Sequence, residues 1–144
     1  FRGAVHFAKR SGNYDELLIA MDEFMARGGR IDLTFGADVF GGDQPASDRD
    51  ALEQLLKKFE QHANFFMYLY HEKGRTFHPK IYLFSNEPKK RALLIVGSSN
   101  WSEGGFKNNI EASVRVSFDL SKIDHQLQFA TLVGLFSDGW AEAM

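Results

Sequence analysis

His78-Pro79-Lys80 places an imidazole and an ammonium two residues apart, and on an extended chain residues at that spacing project to the same side. Pro79 biases His78 toward an extended backbone and is tolerated where a strand begins, so the sequence itself favours this geometry. A neutral imidazole beside a lysine suits phosphate chemistry: the ring nitrogen attacks phosphorus while the cation offsets charge on the non-bridging oxygens. Taken alone, the two residues are more simply a surface pair.

Gly97-Ser98-Ser99-Asn100-Trp101 follows an apolar run, where a sharp turn would expose backbone N–H groups and the short side chains of Ser98 and Ser99. That arrangement is a phosphate cradle. Glu111 falls on the polar side of a strand expected over Asn109 to Val116, beside Asn109 and Ser113. A carboxylate there could accept a hydrogen bond from one ring nitrogen of His78 and fix the tautomer that leaves the other free to attack. Lys89-Lys90-Arg91, and Lys73 with Arg75, are local basic clusters suited to a phosphate backbone.

The elements that must position these groups follow from periodicity. A short strand is expected over Ala4 to Phe7, then a helix from about Tyr14 to Arg27 that carries Leu17, Leu18, Met21, Phe24 and Met25 on one side and stops at Gly28-Gly29. Ile31 to Phe35 reads as a strand and Gly36 to Ala46 as a loop. Ser47 with Asp50 resembles a cap for a helix burying Ala51, Leu52, Leu55, Leu56 and Phe59. Strands are expected at Phe65 to Tyr70, Lys80 to Phe84 and Ala92 to Val96, the last two joined by the turn Ser85 to Arg91. A final helix covers Ile123 to Phe136. This order predicts an α/β fold with a mixed, mostly parallel sheet flanked by helices on both faces.

Together, His-x-Lys, then Gly-Ser-x-Asn, then Glu resemble the phospholipase D superfamily, whose signature runs His-x-Lys-x4-Asp and then Gly-Ser-x-Asn. The spacing is most similar to the nuclease branch, including restriction endonucleases with a phospholipase D-like catalytic domain. The resemblance implies the phospholipase D-like fold, with His78 as a nucleophile forming a phosphohistidine and Lys80 and Asn100 as phosphate ligands. It also implies Ser98 near the phosphate, Glu111 orienting His78, and no metal or other cofactor. In this family two motifs meet at one site, and the second histidine protonates the leaving group. The chain has one copy, so a symmetric homodimer pairing two His78 side chains is the simplest completion, with activity falling at high pH as the acid loses its proton. The sequence departs from the signature where Ser85 stands in place of the aspartate, which bears on rate and substrate rather than on reaction type.

The 144 residues, with 44% apolar and 25% charged, suit a single soluble domain, and a start at Phe1 suggests a piece of a longer protein. The absence of cysteine removes disulfides, thiolate nucleophiles and thiolate zinc sites. A net charge of -2 means that a polyanion must be held by local clusters rather than by the overall field. No apolar run approaches the roughly 20 residues that cross a bilayer. The resemblance to the nuclease branch implies DNA as partner, and a cytoplasmic protein is expected.

His6, His62, His71 and His125 lack partners at metal-ligand spacing and read as structural or surface residues. The glycine-rich Gly36 to Asp43 lacks a nucleotide-loop pattern. Trp101 and Phe106 are expected in the core more than against a base. Two alternatives to DNA cleavage stand: a phospholipase or phosphatidyl transferase, for which no apolar entrance is evident in the sequence, and a non-catalytic nucleic-acid-binding module of a larger restriction or helicase-like protein.

Overall fold

The computed structural model describes residues 1–6, 8, 14–37, 39–40, 44–45, 49–72, 75–102 and 110–139. The apolar side of the first helix, α1 (Tyr14–Ala26), ends where the sequence requires it. Gly28 takes a positive φ of 82°, and the N–H groups of Gly28 and Gly29 donate to the carbonyls of Met25 and Phe24 at 2.9 and 3.0 Å. That paired closure is what a left-handed residue after a helix provides.

Six strands form the main sheet: β1 (Arg2–Val5), β2 (Ile31–Gly36), β5 (Phe65–Tyr70), β6 (Lys80–Asn86), β7 (Arg91–Gly97) and β8 (Ser113–Asp119). Their order across the sheet is β5-β2-β1-β6-β7-β8. Two short strands, β3 (Val39–Phe40) and β4 (Gln44–Pro45), pair with each other inside the segment expected to be a loop. The remaining helices are α2 (Arg49–Phe59) and α3 (Ile123–Gly134), the latter running into a π-helical segment, Leu135–Gly139. Ser47, the expected cap of α2, lies outside the described residues.

The mostly parallel sheet expected from the sequence is not what forms. β1 pairs with β2 and β2 with β5 in parallel, whereas β1–β6, β6–β7 and β7–β8 are antiparallel. For the β6–β7 pair the cause is connection length. Parallel neighbours need a crossover of a dozen or more residues, which α1 and α2 supply; only the turn Glu87 to Lys90 separates β6 from β7, and Lys90 takes a φ of 54° to make it. β8 also starts later than expected, at Ser113, and extends to Asp119.

Helices cover both faces, as expected. On one face Leu18, Met21 and Met25 of α1 and Ala51, Leu55 and Phe59 of α2 pack on Val5, Leu33, Phe35 and Phe65. On the other, Phe129, Leu132 and Val133 of α3 and the following Phe136 pack on Ala4, Leu83, Leu94 and Phe118. Burying side chains of this size is worth roughly 1.5–3 kcal/mol each. Trp101, 2% exposed, meets Phe35 edge-on at 6.0 Å and belongs to the first of these cores. Among the described residues no helix is long and apolar enough to cross a membrane.

Candidate active site

Register brings the chemistry-bearing segments to one end of the sheet. Val5, the last residue of β1, sits opposite both Phe35 of β2 and Lys80, the first residue of β6. Gly97 at the end of β7 faces Ser113 at the start of β8. Chain order also reverses here, running from β1 outward to β2 and β5 and then to β6, β7 and β8 on the other side. Crevices at such switch points, beyond the carboxyl ends of parallel strands, are where open α/β sheets bind ligands.

Lys80 projects to the α1/α2 face with its strand partner Val5 and is 7% exposed. Its Nζ lies 3.0 Å from Nδ1 and 2.9 Å from Nε2 of His78, and 3.4 Å from the His78 carbonyl oxygen. An ammonium can only donate, so the nitrogen that receives it carries a lone pair. Burial holds the Lys80 pKa below the ordinary 10.5, while the charge of Glu111 acts in the opposite direction. His78 itself is exposed.

A second imidazole is present, at a position expected from the sequence to be structural or surface. His6 is 5% exposed, and its ring lies 4.5 Å from that of His78, tilted by 55°. Its carbonyl accepts from the N–H of Gly36, fixing it beside the end of β2. Rings this close are in contact and leave no room for a phosphorus atom between them. An in-line acid must stand across the phosphate from the nucleophile, beyond a near-attack gap of roughly 3 Å and a hydrogen bond of similar length. His6 therefore props the His78 ring. The available signal was its place directly after an apolar strand.

The turn after β7 is held by two side chains. The Tyr82 hydroxyl, on the same face as Lys80, donates to the Ser99 carbonyl at 2.8 Å. Burial, with the Glu111 charge adding to it, pushes the Tyr82 phenol above its ordinary range and keeps it a donor. The Ser98 hydroxyl donates to a Glu111 carboxylate oxygen and accepts from the Ala112 N–H at 3.1 Å. Gly97 permits this closure, since a Cβ there would meet the Ala112 carbonyl oxygen at 2.5 Å. Asn100 Oδ1 is buried without a hydrogen bond among the described residues, so a half-turn of the amide could offer its N–H groups to phosphate.

Two expectations are corrected by this geometry. Glu111 lies before β8 rather than on it, and its carboxylate bonds Ser98, not His78. The partners of the His78 ring are Lys80 and His6. Lys89, Lys90 and Arg91 are not at the site: they flank the far end of β6, a seven-residue strand whose six steps span about 20 Å. Asn109, Phe106 and Lys73 lie outside the described residues. Among those described, no three His, Asp or Glu side chains are grouped to hold a metal ion.

With this geometry, the model for the PLD-like domain of cardiolipin synthase matches residues 5–129 of the chain. The chain belongs to that family. The match spans every main-sheet strand but the first residues of β1 and runs into α3. No curated protein compared with it matches.

Membership in the phospholipase D-like family makes Ser85 informative. It pairs with Ala92, a residue of the α3-side core, whereas Lys80 points to the opposite face. Five strand steps separate the two, about 17 Å. A residue at position 85 cannot touch a phosphate held by Lys80. Ser85→Asp, which restores the family signature, is therefore expected to change the turnover of a phosphodiester by less than about threefold; a tenfold gain in kcat would show that position 85 communicates with the site.

Proposed function

We propose that the chain hydrolyses DNA phosphodiesters through a covalent phosphohistidine at His78, in a site completed by a second copy of the chain. The observation that carries this reading is the Lys80 ammonium held within 3.0 Å of both His78 ring nitrogens at the switch point of the sheet. On binding, a non-bridging phosphate oxygen takes over the Lys80 hydrogen bonds, which exposes the lone pair of the ring nitrogen beside it.

In the first step that lone pair forms an N–P bond while the P–O bond to the leaving group breaks. The leaving oxygen takes a proton from the partner's His78, protonated at the outset. In the second step water attacks phosphorus from the vacated side and gives its proton to the same imidazole. The N–P bond then breaks and its electron pair returns to His78. The scheme requires no metal ion. A second copy is invoked because His6, the imidazole nearest to His78, stands too close to act across a phosphate.

DNA is favoured as substrate because the sheet face that carries Lys80 also carries Arg115, level with Tyr82, and Arg91 at its far end beside Lys89 and Lys90. These cations suit a repeating polyanion. A second reading has a specific observation in its favour. The matching family is named for cardiolipin synthase, and an apolar cleft of about 450 Å³, bounded by Leu17, Tyr82, Phe84 and Ile95, lies beside Ser99. Phosphatidyl transfer would use the same His78 chemistry, with an alcohol in place of water.

The test is to quench the protein in EDTA with end-labelled DNA, or with labelled phosphatidylglycerol vesicles, and to look for label on His78 in an acid-labile bond. Label from DNA together with cleavage is the expected result. Label from lipid alone would install the transferase reading, and cleavage that depends on a divalent ion, with no adduct, would overturn both.

A further inference from the structure

Among the described residues the α1/α2 face of the sheet is only half covered. Both helices pack over β1, β2 and β5 and reach Tyr82 and Ile95, while on β8 the residues of that face, Ser113, Arg115, Ser117 and Asp119, are exposed. Two clefts lie along the uncovered half and share Phe24 and Phe84. The first is the apolar one beside Ser99. The second, of about 920 Å³, is lined by Lys89, Lys90 and Arg91 at the distal end, where Asp119 lies opposite Arg91, and by Arg115, which is level with Tyr82 and nearer the Lys80 end. Tyr82 and Phe84 of β6 line the first cleft and Phe84 and Asn86 the second, with Ile95, Leu93 and Arg91 of β7 opposite them.

We propose that this face is a groove for single-stranded nucleic acid, in which bases stack on the exposed aromatic surface around Phe84 and the backbone downstream of the reacting phosphate is held by Arg91, Arg115, Lys89 and Lys90. Phe84 is 39% exposed and stacks on Phe1 with ring centroids 4.5 Å apart, which fixes the ring as a platform. An aromatic on a sheet surface offers its π-system to any unpaired base, whereas a duplex keeps its base faces stacked on one another. With one phosphate per about 3.4 Å of stacked strand, the 20 Å from Lys80 to the basic end takes about six nucleotides or fewer.

An acyl chain would fill the apolar cleft but gain nothing from Arg115 beside it or from Lys89, Lys90 and Arg91 beyond it. A polyanion uses both. The proposal rests on the nucleic-acid reading of the site and adds strandedness and polarity along β6.

The groove is tested by binding, in the His78→Ala protein so that nothing is cleaved, using a fluorescein-labelled 12-nucleotide single strand and its duplex. The single strand is expected to bind more tightly than the duplex. Phe84→Ala should weaken single-strand binding about tenfold, the effect of losing one base stack. Arg91→Ala with Arg115→Ala, both on exposed side chains, should lower the slope of log K against log salt by about 1.4, at about 0.7 for each phosphate of a single strand that is no longer neutralised.

Equal affinity for duplex and single strand overturns the groove. So does unchanged single-strand binding in both variants, and so does an effect of the substitutions confined to phosphatidylglycerol vesicles. Failure of the unmodified protein to cleave any nucleic acid, with these binding results intact, would remove the hydrolytic reading and leave the groove standing.

Discussion

Replacing His78 with alanine is expected to lower phosphodiester turnover by roughly 10⁴-fold or more, because in the proposed mechanism it deletes the nucleophile and, in a symmetric pair, the general acid as well. What remains is phosphate binding by Lys80 and the Ser99 to Asn100 turn. The fold should survive with a modest loss: His78 is exposed and precedes the first residue of β6, but its ring receives the buried Lys80 ammonium, and removing a partner of a buried donor costs about 1–3 kcal/mol. A cooperative unfolding transition at a somewhat lower melting temperature, with activity gone, is the expected pair of readings.

The same variant tests the shared site. If one copy attacks and the other protonates, a mixed pair carries only one of the two imidazoles. Re-equilibrating equal amounts of unmodified and His78→Ala chains should then leave about a quarter of the activity rather than half, since only pairs of two intact chains work. A linear decline with the fraction of variant would show each chain acting alone. It would then direct attention to an acid other than the partner's His78.

What the sequence revealed was local. His78 and Lys80 sharing a face, the exposed turn after β7 and the glycine stop after α1 all follow from spacings of one to five residues, where backbone geometry alone decides. What it concealed was set by pairing between distant segments. Nothing local distinguishes Lys89, Lys90 and Arg91 beside the site from the same residues about 20 Å away; the antiparallel turn places them at the far end of β6. His6 was invisible for the same reason, since its neighbour is 72 positions along the chain and meets it only because Val5 pairs with Lys80. The direction of the sheet was misjudged because interleaved helices signal parallel crossovers, while the tight turn before Arg91 enforces a hairpin. Glu111 was assigned to His78 by a strand that begins two residues too late to carry it, and the Ser98 hydroxyl takes that carboxylate instead.

Replacing Lys80 with methionine is expected to separate activity from stability. The side chain is 7% exposed, and desolvation disfavours its charged form, which is why its pKa lies below the ordinary 10.5. Methionine of similar length removes that penalty, so the variant should melt higher than the unmodified protein at neutral pH. The sign of the pH dependence follows. Between the lowered folded-state pKa and 10.5 the unfolded chain binds more protons than the folded one, so the unmodified protein gains stability as pH rises through that window. The advantage of the methionine variant should therefore shrink toward pH 10.5. Activity moves the other way: losing the ammonium that in the proposed mechanism meets charge developing on the phosphate should cost about 10²–10³-fold in kcat, the usual loss for a preorganised donor of this kind. In the unmodified protein kcat should fall on the alkaline side, at a pH below that of an ordinary lysine. Lys80→Arg, which stays charged throughout, should lose the part of the alkaline fall that comes from Lys80 and keep the part that comes from the general acid, even if its wider head lowers kcat. A Lys80→Met protein that is less stable yet retains its kcat would mean that Lys80 braces the strand end and leaves the phosphate to other groups.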